Sequence, residues 1–104
     1  MARRAQIVWT KKAEEDYAQV LRYIRDRDSP QAARKFARRL NTAVKNLRGY
    51  PEAGSPVEDL EVPGLREMFL GSYRILYRFE RPTIQVVGIH HGAQTLRERD
   101  LPSE

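Results

Sequence analysis

At 104 residues the chain has room for one domain around one modest core. Its 40% hydrophobic and 32% charged residues exclude a disordered chain, and no apolar run approaches the roughly 18–20 residues that cross a bilayer. With no cysteine it excludes disulfides, thiolate chemistry and cysteine-ligated zinc, which fits a reducing cytoplasm, while 19 Lys+Arg against 14 Asp+Glu, a net charge of +5, favours an acidic partner.

Met1-Ala2-Arg3-Arg4 is basic, but the apolar run Ile7 to Trp9 behind it is too short for the core of a signal peptide. Ala5–Trp9 alternates, with Ile7 and Trp9 on one side and Val8 on the other, and predicts a short strand with Trp9 as a core anchor. Thr10 suits a helix N-cap, with Glu14, Glu15 and Asp16 near the positive end of the helix dipole. Ala13, Tyr17, Val20, Leu21 and Ile24 then recur at helical spacing, so the first helix is expected to reach about Arg27. Ser29-Pro30 opens a second helix, because proline is tolerated at the first helical position. That helix carries Ala33, Phe36, Leu40, Ala43, Val44 and Leu47 on one face, and Gly49-Tyr50-Pro51 stops it. The short link between the two predicts an antiparallel helical hairpin.

Residues 52–64 hold Gly54, Pro56, Pro63 and Gly64 with Glu52, Glu58, Asp59 and Glu61, and read as an acidic loop. Strands follow over Leu65–Leu70, Tyr73–Glu80 and Thr83–Ile89, joined by tight turns at Gly71-Ser72 and Arg81-Pro82. Residues 93–104 form a polar tail, either a short helix over Thr95–Asp100 or a mobile end. The expected architecture is a single α+β domain of order β-α-α-β-β-β, a helical hairpin packed on one face of a small, mainly antiparallel sheet.

Along Tyr73–Glu80, Tyr73, Ile75, Tyr77 and Phe79 share one face and Arg74, Leu76 and Arg78 the other. The first set is expected in the core. Arg74 sits on a rigid strand, and Arg66 after the Pro63-Gly64 turn is positioned to join it. Two guanidinium forks on one surface suit a phosphate or a carboxylate. His90 and His91 follow the last strand and, being adjacent, face opposite ways; either offers acid–base chemistry near neutral pH. Two neighbouring histidines without a third ligand do not make a metal site, and no cofactor motif is present. The serines Ser29, Ser55, Ser72 and Ser103 sit in no nucleophile motif. On the second helix Arg34, Arg38, Lys45 and Arg48, flanked by Lys35 and Arg39, form a basic stripe without interleaved aromatics, a solvated or acid-binding surface rather than a base-stacking one.

Several motifs, in order and spacing, resemble the RelE/ParE superfamily of toxins from bacterial type II toxin–antitoxin modules. They are Trp9-Thr10 with Ala13-Glu14, Asp28-Ser29-Pro30-Gln31-Ala32-Ala33 and Tyr50-Pro51-Glu52-Ala53-Gly54, then Pro63-Gly64-Leu65-Arg66-Glu67, Gly71 to Tyr77 and His91-Gly92-Ala93. The likeness spans Ile7 to Gly92. It implies a plasmid-stabilisation-like toxin domain, without a cofactor, neutralised by an antitoxin whose acidic, partly disordered C-terminal segment wraps the hairpin and sheet.

Two activities are implied within that superfamily. ParE-like members inhibit DNA gyrase; RelE-like members cut messenger RNA on the ribosome, which needs a dense basic constellation around the reacting phosphate. The acidic Glu58, Asp59 and Glu61, and the Gly71-Ser72-Tyr73-Arg74 and His91-Gly92-Ala93 patterns, favour the ParE branch. Under the ribonuclease alternative Arg66 and Arg74 would hold the phosphate, with His90 or His91 as acid or base. The antitoxin surface is expected at Arg34, Arg38, Lys45, Arg48, Arg74 and Arg78. A non-enzymatic nucleic-acid-binding module and an inactive antitoxin-binding relative stand as further alternatives.

Overall fold

The computed structural model describes residues 5–101; Met1 to Arg4 and the end of the tail from Pro102 lie outside them. The elements are β1 Gln6–Trp9, α1 Lys11–Arg27, α2 Pro30–Asn46, β2 Ser55–Pro56, β3 Leu65–Leu70, β4 Tyr73–Glu80, β5 Thr83–His91 and a 3₁₀ turn at Glu98–Asp100.

Both helix starts are built by their caps. The Thr10 hydroxyl accepts the Ala13 N–H at 3.0 Å and the Ser29 hydroxyl that of Ala32 at 3.0 Å, with Pro30 in the first turn of α2. The end of α2 differs from expectation. No left-handed glycine closes it; the chain tightens instead through bonds such as Gly49 N–H to Asn46 O and Tyr50 N–H to Leu47 O. Glycine freedom is used at Gly71, whose φ of 58° lets β3 turn directly into β4.

The sheet has five strands in the order β1-β5-β4-β3-β2. β1 runs parallel to β5, with Gln6 opposite Thr83 and Trp9 opposite Val86, while the other pairs are antiparallel. Two features were not read from the sequence. Ser55–Pro56, in the expected loop, pairs with Glu67 and Arg66 as a two-residue edge strand, where proline's missing donor is harmless. β5 also runs on through both histidines, Arg74 facing His90 and Tyr73 facing His91.

Leu76 pairs with Gly88 and Tyr77 with Val86, so Val87 is one extra residue on β5, a bulge that resets its alternation. Val86 and Ile89 therefore face the helices, where they pack with Ala13, Val20, Ile24, Phe36, Leu40, Val44, Leu70 and Ile75. Val87 faces the other way. There it meets Val57, Leu65, Leu76 and Leu96 in a second core, flanked by Leu60, Val62 and Leu101. The face opposite the hairpin is thus covered by the 57–62 loop and the tail. The tail is docked rather than polar throughout, because Leu96 is only 2% exposed.

Candidate functional site

Arg74 leaves the middle strand of the covered sheet face, and three acceptors surround it. Its Nε donates to Glu67 Oε1 at 2.6 Å, its Nη2 to Asp59 Oδ1 at 2.7 Å, and its Nη1 to Asp59 Oδ2 at 3.2 Å and the Gln94 carbonyl at 3.1 Å. Asp59 Oδ2 also accepts the Leu96 N–H at 3.0 Å, so the same ion pair fastens the loop and the tail. Hydrogen bonding from Arg74, then from Leu96, holds the Asp59 carboxyl well below the usual carboxylate range. Every donor-bearing nitrogen of this guanidinium has an internal partner. Arg74 is a structural cation, which corrects its expected place on an open binding surface.

Arg66 does not join it. Arg66 stands opposite Tyr77 and Phe69 opposite Arg74, so by strand alternation the two arginines lie on opposite faces. The Arg66 Nη1 donates to the carbonyls of Glu52 and Gly54, and Nη2 lies 3.7 Å from the Glu52 carboxylate. Beside it the buried Tyr77 hydroxyl donates to Pro51 O at 2.9 Å and accepts the Gly54 N–H at 2.8 Å. A Cβ on Gly54 would fall 2.5 Å from Glu67 O, so the Pro51–Gly54 motif needs glycine for close approach to the sheet.

The histidines part as alternation requires. β1 stops at Trp9, and α1 takes over the edge of β5: Asp16 Oδ2 accepts the Ile89 N–H at 3.1 Å and the Lys12 ammonium at 2.8 Å. His90 is buried in this corner, its Nε2 3.4 Å from Lys12 Nζ and 3.9 Å from Asp16 Oδ2. Burial, and then the Lys12 charge, pull its pKa below the ordinary imidazole value, against Asp16, Asp100 and the Gln94 side chain. A neutral His90 accepting from Lys12 keeps its proton on Nδ1. His91 faces the helices, its ring edge-on to Tyr73 with centroids 5.8 Å apart, and its Nδ1 accepts the Ala93 N–H at 3.2 Å.

Of the other cations, Arg34, Arg38 and Lys45 are exposed on α2. The Nε of Arg48 donates to Ala5 O at 3.2 Å, and Arg78 reaches Glu80 at 3.4 Å while its own buried Nε has no hydrogen-bond partner among the described residues. Lys35 and Arg39, read from the sequence only as flanks of the basic stripe, have a different setting from the rest of it. They flank the outer stripe and line a cleft of about 330 Å³ at the closed end of the helical hairpin, beside the α1–α2 link, with Phe36, Tyr73 and His91. Their signal was available: they stand at i and i+4 beside the apolar face, where a groove rather than open water was their neighbour. Among the described residues no group of three or more acidic, His or Cys side chains is placed to hold a metal ion, and no helix is long and apolar enough to cross a membrane.

A two-helix hairpin on a five-stranded mixed sheet defines a small α+β protein. Residues 7–96 match the family described as "ParE toxin of type II toxin-antitoxin system, parDE". The chain is 37% identical over 91 residues to Toxin RelE2 of Caulobacter vibrioides, covering 86% of this chain and 98% of that one. It is 32% identical over 93 residues to the Putative toxin Y4kP of Sinorhizobium fredii, covering 88% and 92%. Among solved structures it resembles the chromosomal ParDE toxin–antitoxin system of P. aeruginosa, with a TM-score of 0.72, 24% identity and coverage of 86% and 98%. It also resembles the RelBE2 toxin–antitoxin complex of Mycobacterium tuberculosis, with a TM-score of 0.61, 22% identity and coverage of 90% and 98%. These two show the fold. The chain belongs to the ParE toxin family, within the RelE/ParE superfamily of type II toxins.

Proposed function

We propose that this toxin acts by binding, with DNA gyrase as its target, and that an acidic antitoxin neutralises it in the cytoplasm. The observation that carries the reading is the fate of Arg74, buried between Asp59 and Glu67 with its donors already engaged. Cutting RNA through its 2′-hydroxyl needs a base, an acid and uncompensated cations converging on one phosphate. Here Arg66 and Arg74 lie on opposite faces, His90 is buried against Lys12 and Asp16, and His91 turns to Tyr73. The four candidates do not converge. An antitoxin partner is supported by the two structural neighbours, both described as toxin–antitoxin systems or complexes.

Ribosome-dependent RNA cleavage is the second reading, favoured by the name of the relative Toxin RelE2. Gyrase-catalysed plasmid supercoiling, measured with purified toxin and with or without antitoxin, separates the two. Dose-dependent inhibition relieved by antitoxin is expected. Growth arrest without inhibition, together with A-site cleavage that vanishes in the His90→Ala/His91→Ala double variant, would transfer the assignment to the ribonuclease.

A further inference from the structure

A cleft of about 720 Å³ lies beyond the end of α2, where the chain from Gly49 to Ala53 meets the β4–β5 turn. It sits at the other end of β4 from Tyr73, and none of Arg66, Arg74, His90 or His91 lines it. Its walls are largely apolar, with the Tyr50 and Phe79 rings beside Pro51 and Pro82. Two arginines complete it, Arg48 and Arg81, and the Arg81 guanidinium lies over the Phe79 ring, 5.9 Å from its centre. Neither arginine has an ion pair among the described residues, and the Arg48 side chain uses only its Nε, on the Ala5 carbonyl. Glu52, the acid of the lining, lies 3.7 Å from Arg66 and is matched there.

An exposed tyrosine is ordinary by itself, and so is an arginine in a turn. What folding leaves unused is their meeting in one hollow. Tyr50 is 76% exposed although its backbone is pinned: its N–H donates to Leu47 O at 3.1 Å and its carbonyl accepts the Ala53 N–H at 3.0 Å. The next carbonyl, of Pro51, accepts the Tyr77 hydroxyl. The fold thus fixes the root of the ring without packing the ring itself. The same bonds leave little for a peptide strand to pair with. The N–H groups of Gly49, Tyr50 and Ala53 are spent within the fold, and Pro51 and Pro82 have none. Recognition therefore falls to rings and guanidinium groups. Those suit a planar ring that carries an anion, the first for stacking and the second for a forked, permanently charged grip on phosphate. The volume is that of clefts that enclose a small ligand.

We propose that this cleft binds a nucleotide, its base against the Tyr50 and Phe79 rings and its phosphate on Arg81 and Arg48. The outer stripe of α2 has cations without aromatics; here the two are combined, with the acid already matched and the base unmatched. The chemistry recognised is that of a nucleoside phosphate, free or within a single strand. A duplex does not present it, because its bases are stacked inside. This site is independent of the gyrase reading, since it lies apart from the residues on which that reading was argued.

The test is fluorescence anisotropy of the full-length toxin with a fluorescein-labelled single-stranded oligothymidylate, using adenosine monophosphate and unlabelled duplex DNA as competitors. Tyr50→Ala is expected to weaken strand binding about tenfold, and Tyr50→Phe, which keeps the ring, to stay within about twofold of wild type. Arg81→Gln should cost about fivefold and lower the salt slope by about one. Arg34→Gln/Lys45→Gln on the outer face of α2 removes more charge, yet should cost less than about threefold. All four positions are exposed, so thermal melts should match wild type. Adenosine monophosphate that displaces the strand makes a free nucleotide the source; a strand that resists it, yet is lost in Tyr50→Ala, makes the source a single strand. Either pattern supports the site. Wild-type protein that binds neither probe would overturn the proposal, as would unchanged binding in Tyr50→Ala or an equal loss in the outer pair. Duplex that competes as well as the single strand would overturn it too, because charge alone would then explain the binding. A Tyr50→Ala variant that keeps the strand but loses the antitoxin would assign the cleft to a protein instead. None of these failures touches gyrase inhibition, which is measured separately.

Discussion

Arg74 and Lys35 carry the same charge, yet one holds the fold and the other stands open. On the covered sheet face Arg74 is 4% exposed, meets two carboxylates and a carbonyl, and through Asp59 fixes the loop and the tail together. At the closed end of the hairpin Lys35 and Arg39 are exposed beside the Phe36 and Tyr73 rings. The contrast teaches that a basic residue's availability is set by what its neighbours bring to it, not by its place on a strand or helix. A desolvated cation must be matched by anions within the fold, whereas a solvated one is free to be matched by a partner.

The contrast can be broken at its buried end first. Arg74→Met leaves Asp59 and Glu67 without their cation and is expected to cost roughly 3–5 kcal/mol in urea unfolding; a loss below about 1 kcal/mol would mean that the network is solvated. Leu96→Ala tests whether the tail belongs to the fold, and a fully buried leucine predicts a loss of about 2–4 kcal/mol by the same measurement. Gly54→Ala forces a methyl group against Glu67 O and the Tyr77 hydroxyl, for about 1–3 kcal/mol.

Acid should act on the same region. Because the folded state depresses the Asp59 pKa, the ion pair's contribution is complete above the ordinary aspartate range near ~4 and is lost as the pH falls below it. His90 is depressed too, so its neutral form is favoured by folding. Its contribution is complete above about pH 6.5 and declines on acidification towards the folded pKa, a step that His90→Gln should remove from the stability–pH curve. The smallest effect sharpens the comparison from its open end: Lys35→Glu/Arg39→Glu should leave unfolding stability within about 0.5 kcal/mol of wild type.

Much of this was legible in the chain. Thr10 and Ser29-Pro30 announced both helices, since a cap acts within three residues. Gly71-Ser72 announced the β3–β4 turn, and strand alternation separated His90 from His91. What alternation cannot say is whether a strand's outward face meets water or another part of the chain. Arg74 looked solvated because its partner Asp59 lies 15 residues away in a loop without periodicity. Leu96 is a single apolar residue in a polar tail, too little signal to mark a docked segment. Ser55–Pro56 is shorter than any pattern, and the Val87 bulge is set by what β5 pairs with rather than by its own residues. The cleft beside Lys35 and Arg39 combines side chains from five elements, so no local motif spelled it.

The corner where β1 ends has a consequence for motion. The Ile89 amide is held by the Asp16 carboxylate of α1 and not by a neighbouring strand. Its proton can exchange with solvent only when the first turns of α1 lift from the sheet, or when the whole domain opens. Ile89 is therefore a built-in reporter for the docking of α1, readable at a single backbone position. In hydrogen–deuterium exchange its protection should track that helix rather than the strand in which it lies.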